Sequence, residues 1–359
     1  MNQYLMTPVK IGNLSLPNRV IMAPLTRRRA DADHIPTPIM ATYYRQRVSA
    51  GLLISEATPI SPQAVGYLNV PGIWNQQQVE GWKPITKAVH EAGGRIYMQL
   101  WHVGRISHSL LQPGQGLPVS ASAISAGEII NTPEGHKQME VPRALETNEI
   151  PGIIRDYAEG ASRAIEAGFD GVEIHGANAY LIDQFLHSSS NIRTDQYGGS
   201  IANRARFLFE VVEAVISAIG NTRVGIRLSP SNVRNGMDDT DPSALYSYVV
   251  NKLNDCNLAY LHLVEPMMPL DTFPHMIKEV TKFFRPLWKG PLITAGNYTP
   301  ETGEKAVEQG IADMVAFGRL YISNPDLPER IALKASMNEP DTTTFYAGGE
   351  KGYTDYPNL

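Results

Sequence analysis

Cysteine is almost missing from this 359-residue chain: Cys256 stands alone, which excludes an internal disulfide and any zinc or iron–sulfur cluster ligated by several of its own cysteines. Long apolar runs are missing too. None approaches the roughly 18 residues of a membrane span, and the N-terminal MNQYLMTPVK lacks the apolar stretch of a signal peptide. A cytoplasmic protein without membrane contact is the expectation. Positive charge is not in excess: 31 Lys and Arg against 36 Asp and Glu leave a net charge of −5, which gives nucleic-acid binding no support. Basic residues do gather at Arg27-Arg28-Arg29 and at Arg204 with Arg206, and these read as solvated faces. His102 and His108 show no metal-ligand spacing, and no metal is expected.

What remains is an ordinary globular composition, 43% hydrophobic and 19% charged. Within it, short apolar runs alternate with amphipathic ones, the mark of βα units around a parallel sheet. Eight strands are expected, at Val20–Pro24, Leu52–Glu56, Ile96–Leu100, Gly171–His175, Arg223–Leu228, Ala259–Val264, Leu292–Ala295 and Met314–Phe317. Helices are expected at Gln78–Ala92, Ile153–Ala167, Ile201–Ile219, Pro242–Asn254, Met276–Phe284 and Pro300–Gln309. The last has Thr299 as N-cap, Pro300 in its first position and Gly310 beyond its end. Eight such units predict an α/β fold, a closed (β/α)8 TIM barrel, in one domain spanning residues 1–359. Val9–Leu16 reads as a hairpin around Gly12-Asn13 that caps the barrel's N-terminal end. His102–Pro151 is a long insertion after strand 3, either functional or disordered.

Barrel enzymes do their chemistry at the C-terminal ends of the strands. Strand 4 ends in His175-Gly176-Ala177-Asn178-Ala179-Tyr180, which delivers an imidazole, a carboxamide and a phenol within six residues. The first two can donate hydrogen bonds to one oxygen, and a phenol can protonate carbon. By itself the segment reads equally well as a polar strand-end turn with a satisfied histidine. Ala295-Gly296-Asn297 and Gly318-Arg319 follow strands 7 and 8, where barrels frequently hold phosphate. Singly, a tight turn and a surface arginine explain each; together they favour phosphate.

AlaProLeuThr at 23–26, GlnLeuTrpHis at 99–102, the 175–180 turn, SerAsnIleArgThrAspGlnTyrGlyGlySer at 190–200 with AsnArg at 203–204, and AlaPheGlyArg at 316–319 occur in one order and spacing. With them the chain resembles the Old Yellow Enzyme family of FMN-dependent ene-reductases over essentially its whole length, in the N-ethylmaleimide and pentaerythritol tetranitrate reductase branch. The resemblance implies non-covalent FMN, with NADPH or NADH as a transient donor. It implies that Pro24, Leu25 and Ala57 pack on the flavin, and that Thr26 and Gln99 bond its O4 and pyrimidine edges. Arg227 would balance charge near N1, while Ala295, Gly296, Asn297, Gly318 and Arg319 would hold the phosphate. His175 and Asn178 would grip the activating oxygen of an electrophilic alkene, maleimide or nitro compound, and Tyr180 would supply a proton. Tyr67, Trp101 and Tyr346 would line the substrate face. Monomer and homodimer both stay open.

Threonine at 26 departs from relatives with cysteine there, and Asn178 from those with histidine; the carboxamide keeps a donor but does not titrate. Ala202 stands where many relatives carry an acid. Other readings are a flavin-free barrel aldolase or isomerase, for which Glu56 is the nearest acid, and a flavin-binding redox sensor that would not need Tyr180.

Overall fold

The computed structural model describes residues 3–359. Eight parallel strands form the barrel: β1 (Val20–Met22), β2 (Leu52–Ile54), β3 (Ile96–Trp101), β4 (Gly171–Gly176), β5 (Val224–Leu228), β6 (Tyr260–Val264), β7 (Leu292–Ala295) and β8 (Met314–Phe317). Each pairs with its neighbour in sequence; β8 pairs with β1, and the ring is continuous through β3 and β4. The expected TIM barrel is therefore the observed one, with strand ends agreeing to within two residues.

Side chains alternate along each strand, and the alternation sorts them. Val20, Met22, Met98, Leu100, Val172, Ile174, Ile226 and Leu263 belong to the layer shared with the helices. Their neighbours Ile21, Leu52, Tyr97, Tyr260, Ile293 and Met314 form a second apolar cluster with Ile11 and Leu16 of the hairpin. That hairpin, Val9–Ile11 with Leu14–Leu16, is antiparallel as expected. Gly12 lies so close to Thr222 that a Cβ would sit 2.0 Å from its carbonyl oxygen, and its φ of +47° suits glycine. The hairpin thus plugs one end of the barrel with apolar side chains and leaves polar chemistry to the other.

The connecting helices are α1 (Pro38–Arg45), α2 (Gln76–Glu91), α3 (Ile150–Glu166), α4 (Arg206–Ile219), α5 (Pro242–Leu253), α6 (Val280–Phe284), α7 (Pro300–Glu308) and α8 (Leu327–Leu333). α7 starts in the capping box Thr299/Thr302. Three expectations need correction. α1 was not anticipated, although Met40, Tyr43 and Tyr44 bury one face of it. The span Ile201–Ile219 is broken at Ala205 into Ile201–Arg204 and α4. The span expected from Met276 starts only at Val280. The insertion after β3 is ordered: Ile129–Thr132 and Gly135–Gln138 form a hairpin, and Val119–Ser120 pairs with Arg143–Ala144. Buried Arg105 ties it to the β5 end, donating to Ile124 O at 3.1 Å and Asn235 O at 2.8 Å.

Candidate active site

The turn after β4 is held in a conformation that costs energy. Asn178 and Ala179 have φ of +58° and +68°; asparagine tolerates this region, whereas alanine there is strained by an order of 1–3 kcal/mol. Side chains from elsewhere offset that cost. The backbone N–H of Asn178 donates to Ser229 Oγ at 2.7 Å, and that of Ala179 to Asp183 Oδ2 at 2.8 Å. Asp183 is fully buried, takes the Tyr246 hydroxyl at 2.7 Å and lies 3.2 Å from His187. It was not singled out in the sequence; a lone acid inside LeuIleAspGlnPheLeu, four residues past the turn, is the available signal.

The turn brings His175 and Tyr180 together, ring centroids 4.9 Å apart at 73°. Trp101, at the end of β3, meets Tyr180 edge-on at 4.8 Å and stacks on Tyr67 at 5.4 Å. The hydroxyls of Tyr67 and Tyr180 are 3.5 Å apart. Burial, followed by the neighbouring Tyr67, pushes the Tyr180 phenol well above its ordinary value, so it stays protonated. Burial, then the positive charge of Arg227, holds His175 well below the usual imidazole range, so its ring is neutral. Its Nδ1 is buried without a partner. Pro24, Leu25, Thr26, Tyr67, Asn178, Tyr180 and Tyr346 border one cavity of about 490 Å³, a size that suits a small ligand. Tyr346 is 58% exposed at its rim. A groove of about 550 Å³ between Tyr4, Glu304, Arg330 and Lys334 lies apart from these residues.

Inside the barrel, register places Gln99 beside Glu173, and Arg227 between His175 and His262. The Gln99 amide donates to Glu173 Oε1 at 2.8 Å, while Glu173 Oε2 meets His262 Nδ1 at 2.8 Å. His262 and, despite burial, the guanidinium of Arg227 keep the Glu173 carboxyl below its ordinary value. Glu173 and His262 were missed in the sequence; the signal is the two-residue spacing that puts Glu173 on the face of β4 that carries His175. Arg227 is 8% exposed, and no hydrogen bond or ion pair engages its side chain among the described residues. A buried guanidinium without partners suits an anionic ring edge. Thr26, half-buried, is likewise without a side-chain hydrogen bond among the described residues.

At the ends of β7 and β8, Gly296 has φ of +114°, and a Cβ there would stand 3.0 Å from Glu265. Beside Gly318 a Cβ would meet only Leu25 Cδ2, at 3.4 Å, so its backbone stays open to a bulky neighbour. Asn297 and Arg319 are exposed, while Ala57 and Ala295 are buried. The set as a whole fits a phosphate-bearing flavin: bare glycines at one side, an unpaired cation at the other, and Gln99 with its amide orientation fixed by Glu173.

The arginine clusters are not solvated faces. Arg27 and Arg29 are buried, and their guanidiniums donate to Phe345 O, Gly352 O and Thr344 O of the C-terminal segment. Arg204 is buried against Asp239, and Arg206 donates to Gln196 O at 2.9 Å. Glu56 lies among the same groups, 3.3 Å from the Arg27 backbone nitrogen and 3.4 Å from the Tyr44 hydroxyl, and burial raises its carboxyl to about 7. It does not border the cavity.

These shifts predict acid lability. An unfolded chain protonates its imidazoles below about pH 6.5, but burial holds His102 down to about 3 and His175 well below its ordinary value. Below pH 6.5 the unfolded state therefore binds two more protons at these sites, and stability falls with pH. Glu56 opposes by one proton, since it is protonated in the fold below about 7 and in the unfolded chain only below 4.5. His262, also held below its ordinary value by burial, adds to that loss, so the balance is a fall in stability between about pH 6.5 and 5. Urea midpoints measured across that range should drop; midpoints that rise would contradict neutral burial of these histidines.

Comparison with known proteins follows the same lines. Residues 4–338 match the NADH:flavin oxidoreductase / NADH oxidase family model. The chain is 49% identical over 358 residues to 12-oxophytodienoate reductase 1 of Oryza sativa subsp. japonica, covering 99% of this chain and 93% of that protein. With 12-oxophytodienoate reductase 2 of Arabidopsis thaliana it shares 45% over 366 residues, 99% and 96% of the two chains. Morphinone reductase in complex with tetrahydroNAD superposes with a TM-score of 0.94 at 51% identity, over 100% of this chain and 98% of that one. The Old Yellow Enzyme homologue from Zymomonas mobilis gives 0.95 at 46%, over 99% of each.

Proposed function

The chain belongs to the NADH:flavin oxidoreductase / NADH oxidase family, the Old Yellow Enzyme group, and from that premise we propose that it reduces carbon–carbon double bonds activated by carbonyl, imide or nitro groups, with NADPH or NADH as donor. FMN, when bound, supplies the hydride path from the nicotinamide to the alkene. His175 and Asn178 hold the activating oxygen and draw charge from the alkene as its β-carbon is reduced. Tyr180 gives its hydroxyl proton to the α-carbon and regains one from solvent. Tyr67 and Trp101 form the wall against which the substrate lies, with Tyr346 at the rim. Arg227, Gln99 and Thr26 bind the flavin edge; Pro24, Leu25 and Ala57 pack on its ring; and Ala295, Gly296, Asn297, Gly318 and Arg319 take its phosphate.

The single observation that carries this reading is the neutral imidazole of His175, packed 4.9 Å from the half-buried phenol of Tyr180, which borders a cavity of about 490 Å³. That is an oxygen-binding donor beside a proton donor. No observation favours a flavin-free aldolase or isomerase: the cavity lining holds no lysine, and its one acid is Glu128.

The purified protein is expected to be yellow and to release FMN, not FAD, on denaturation. One candidate phosphate site after β7 and β8, with no second sequence fingerprint for an adenylate, motivates the expectation. A colourless protein that FMN cannot reconstitute would overturn the whole reading.

A further inference from the structure

Arg28 differs from the arginines on either side of it. Arg27 and Arg29 spend their guanidiniums on carbonyls of the C-terminal segment. Arg28, at φ of +59°, borders the cavity without using its guanidinium on that segment. Its Nε donates to Leu68 O at 2.8 Å, which fixes the plane of the guanidinium; the two terminal nitrogens have no acceptor among the described residues. The side chain is half-buried, and burial lowers its basicity. A half-buried cation without a counter-charge is unfavourable unless something else brings one.

A second cation reaches the same cavity from another strand. Arg234, on the loop after β5, is exposed, and its side chain makes no hydrogen bond or ion pair among the described residues. On that loop Asn232 also borders the cavity, and its amide nitrogen is buried with no acceptor. Tyr67, whose hydroxyl lies 3.5 Å from that of Tyr180, borders the cavity with both arginines. The lining thus carries three arginines and one glutamate, Glu128, in a chain whose net charge is −5. Glu128 makes no ion pair with any of them. Such a local inversion of sign draws anions into a cleft.

We propose that Arg28, Arg234 and Asn232 form an anion-binding subsite at the mouth of the cavity, which takes a carboxylate or phosphate carried on the molecule whose reacting end lies at His175, Asn178 and Tyr180. The proposal rests on the reading of that end as the reaction site. Two carriers fit the chemistry: an electrophile with a carboxylate tail, and the nicotinamide nucleotide with the extra phosphate that separates NADPH from NADH. Guanidinium forks suit both groups.

Two matched pairs of probes separate the carriers in the FMN-loaded protein. The first is p-cresol against 3-(4-hydroxyphenyl)propionate, which share the phenol and differ by a carboxylate; affinities come from the change in flavin absorbance on titration. The second is NADH against NADPH, with dissociation constants taken from the concentration dependence of flavin bleaching. The wild-type protein is expected to prefer the anionic member of one pair or both by about 10- to 100-fold. Arg28→Gln and Arg234→Gln should each erode that preference, and the double variant should abolish it. Rising ionic strength should weaken it too, as screening requires. Because Arg234 is exposed and unbonded, its variant should fold normally even where Arg28→Gln disturbs the Leu68 contact. Loss confined to the phenol pair assigns the subsite to a carboxylate tail, and loss confined to the nucleotides assigns it to the phosphate. No preference in the wild type, or one that survives in the double variant, overturns the subsite alone. If p-cresol fails to bind at all, the reaction-site reading falls and the subsite with it.

Discussion

Tyr180→Phe is expected to leave flavin reduction by NADPH near normal and to slow reduction of 2-cyclohexenone by about 10²–10⁴-fold, the usual span for loss of a general acid. The substitution removes one hydroxyl and almost no volume, so the edge-on packing against Trp101 at 4.8 Å and His175 at 4.9 Å survives. Among the described residues, the only side-chain hydrogen bond it deletes is the 3.5 Å contact with Tyr67. Delivery of hydride to the flavin consumes no proton from Tyr180, which is why the first half-reaction should be spared. In the second, a reduced enone holds charge at carbon until it is protonated there. Burial keeps the phenol in its acid form throughout the neutral range, so the wild-type proton is always in place. Nitroalkenes should lose less, because the nitro group carries the charge as a nitronate that water protonates later. Stopped-flow measurement of both half-reactions with both substrates decides the matter. Equal losses for enone and nitroalkene, or none for the enone, would show that the proton comes from another source.

The barrel was legible because its period is local. Two-residue alternation and the spacing of apolar runs can be read within ten residues, and the capping signals at Thr299 and Pro300 placed α7 to within one residue. The strand ends then pointed to His175, Asn178 and Tyr180, since the fold itself says where strand ends meet. What the sequence hid depends on partners far along the chain. Arg27 and Arg29 look like solvated charge until the C-terminal segment folds over them, with the Arg27 to Phe345 bond spanning 318 residues. Tyr353 then stacks on Tyr43 at 4.1 Å to complete their burial. Glu173 and His262 come together across 89 residues through β-strand register, which no local pattern encodes. Asp183 is hidden for another reason: a buried acid in an apolar run is anomalous by composition, but only the positive φ values at Asn178 and Ala179 explain why an acceptor is needed there.

The same distinction gives His175→Ala its force. The imidazole is kept neutral first by burial and then by the guanidinium of Arg227, which opposes a second positive charge beside it. A neutral ring donates one N–H, and it does so from a rigid strand end, so little reorganisation is needed as charge builds on the substrate oxygen. Removal of one such donor costs about 10²–10³ in rate. Asn178 is fixed independently, through its backbone bond to Ser229 at 2.7 Å, so the second donor should persist and the loss should stop short of complete inactivity. Truncation also leaves no stranded partner behind, because Nδ1 of His175 bonds to nothing among the described residues. The variant should therefore retain FMN and fold, while the oxidative half-reaction slows and phenols, whose ionised oxygen imitates the polarised substrate, bind more weakly. Since the wild-type imidazole does not titrate near its ordinary pH, phenol affinity should show no inflection at about pH 6.5. Unchanged phenol affinity and an unchanged long-wavelength charge-transfer band in His175→Ala would remove this residue from oxygen binding and leave Asn178 to act with some other donor.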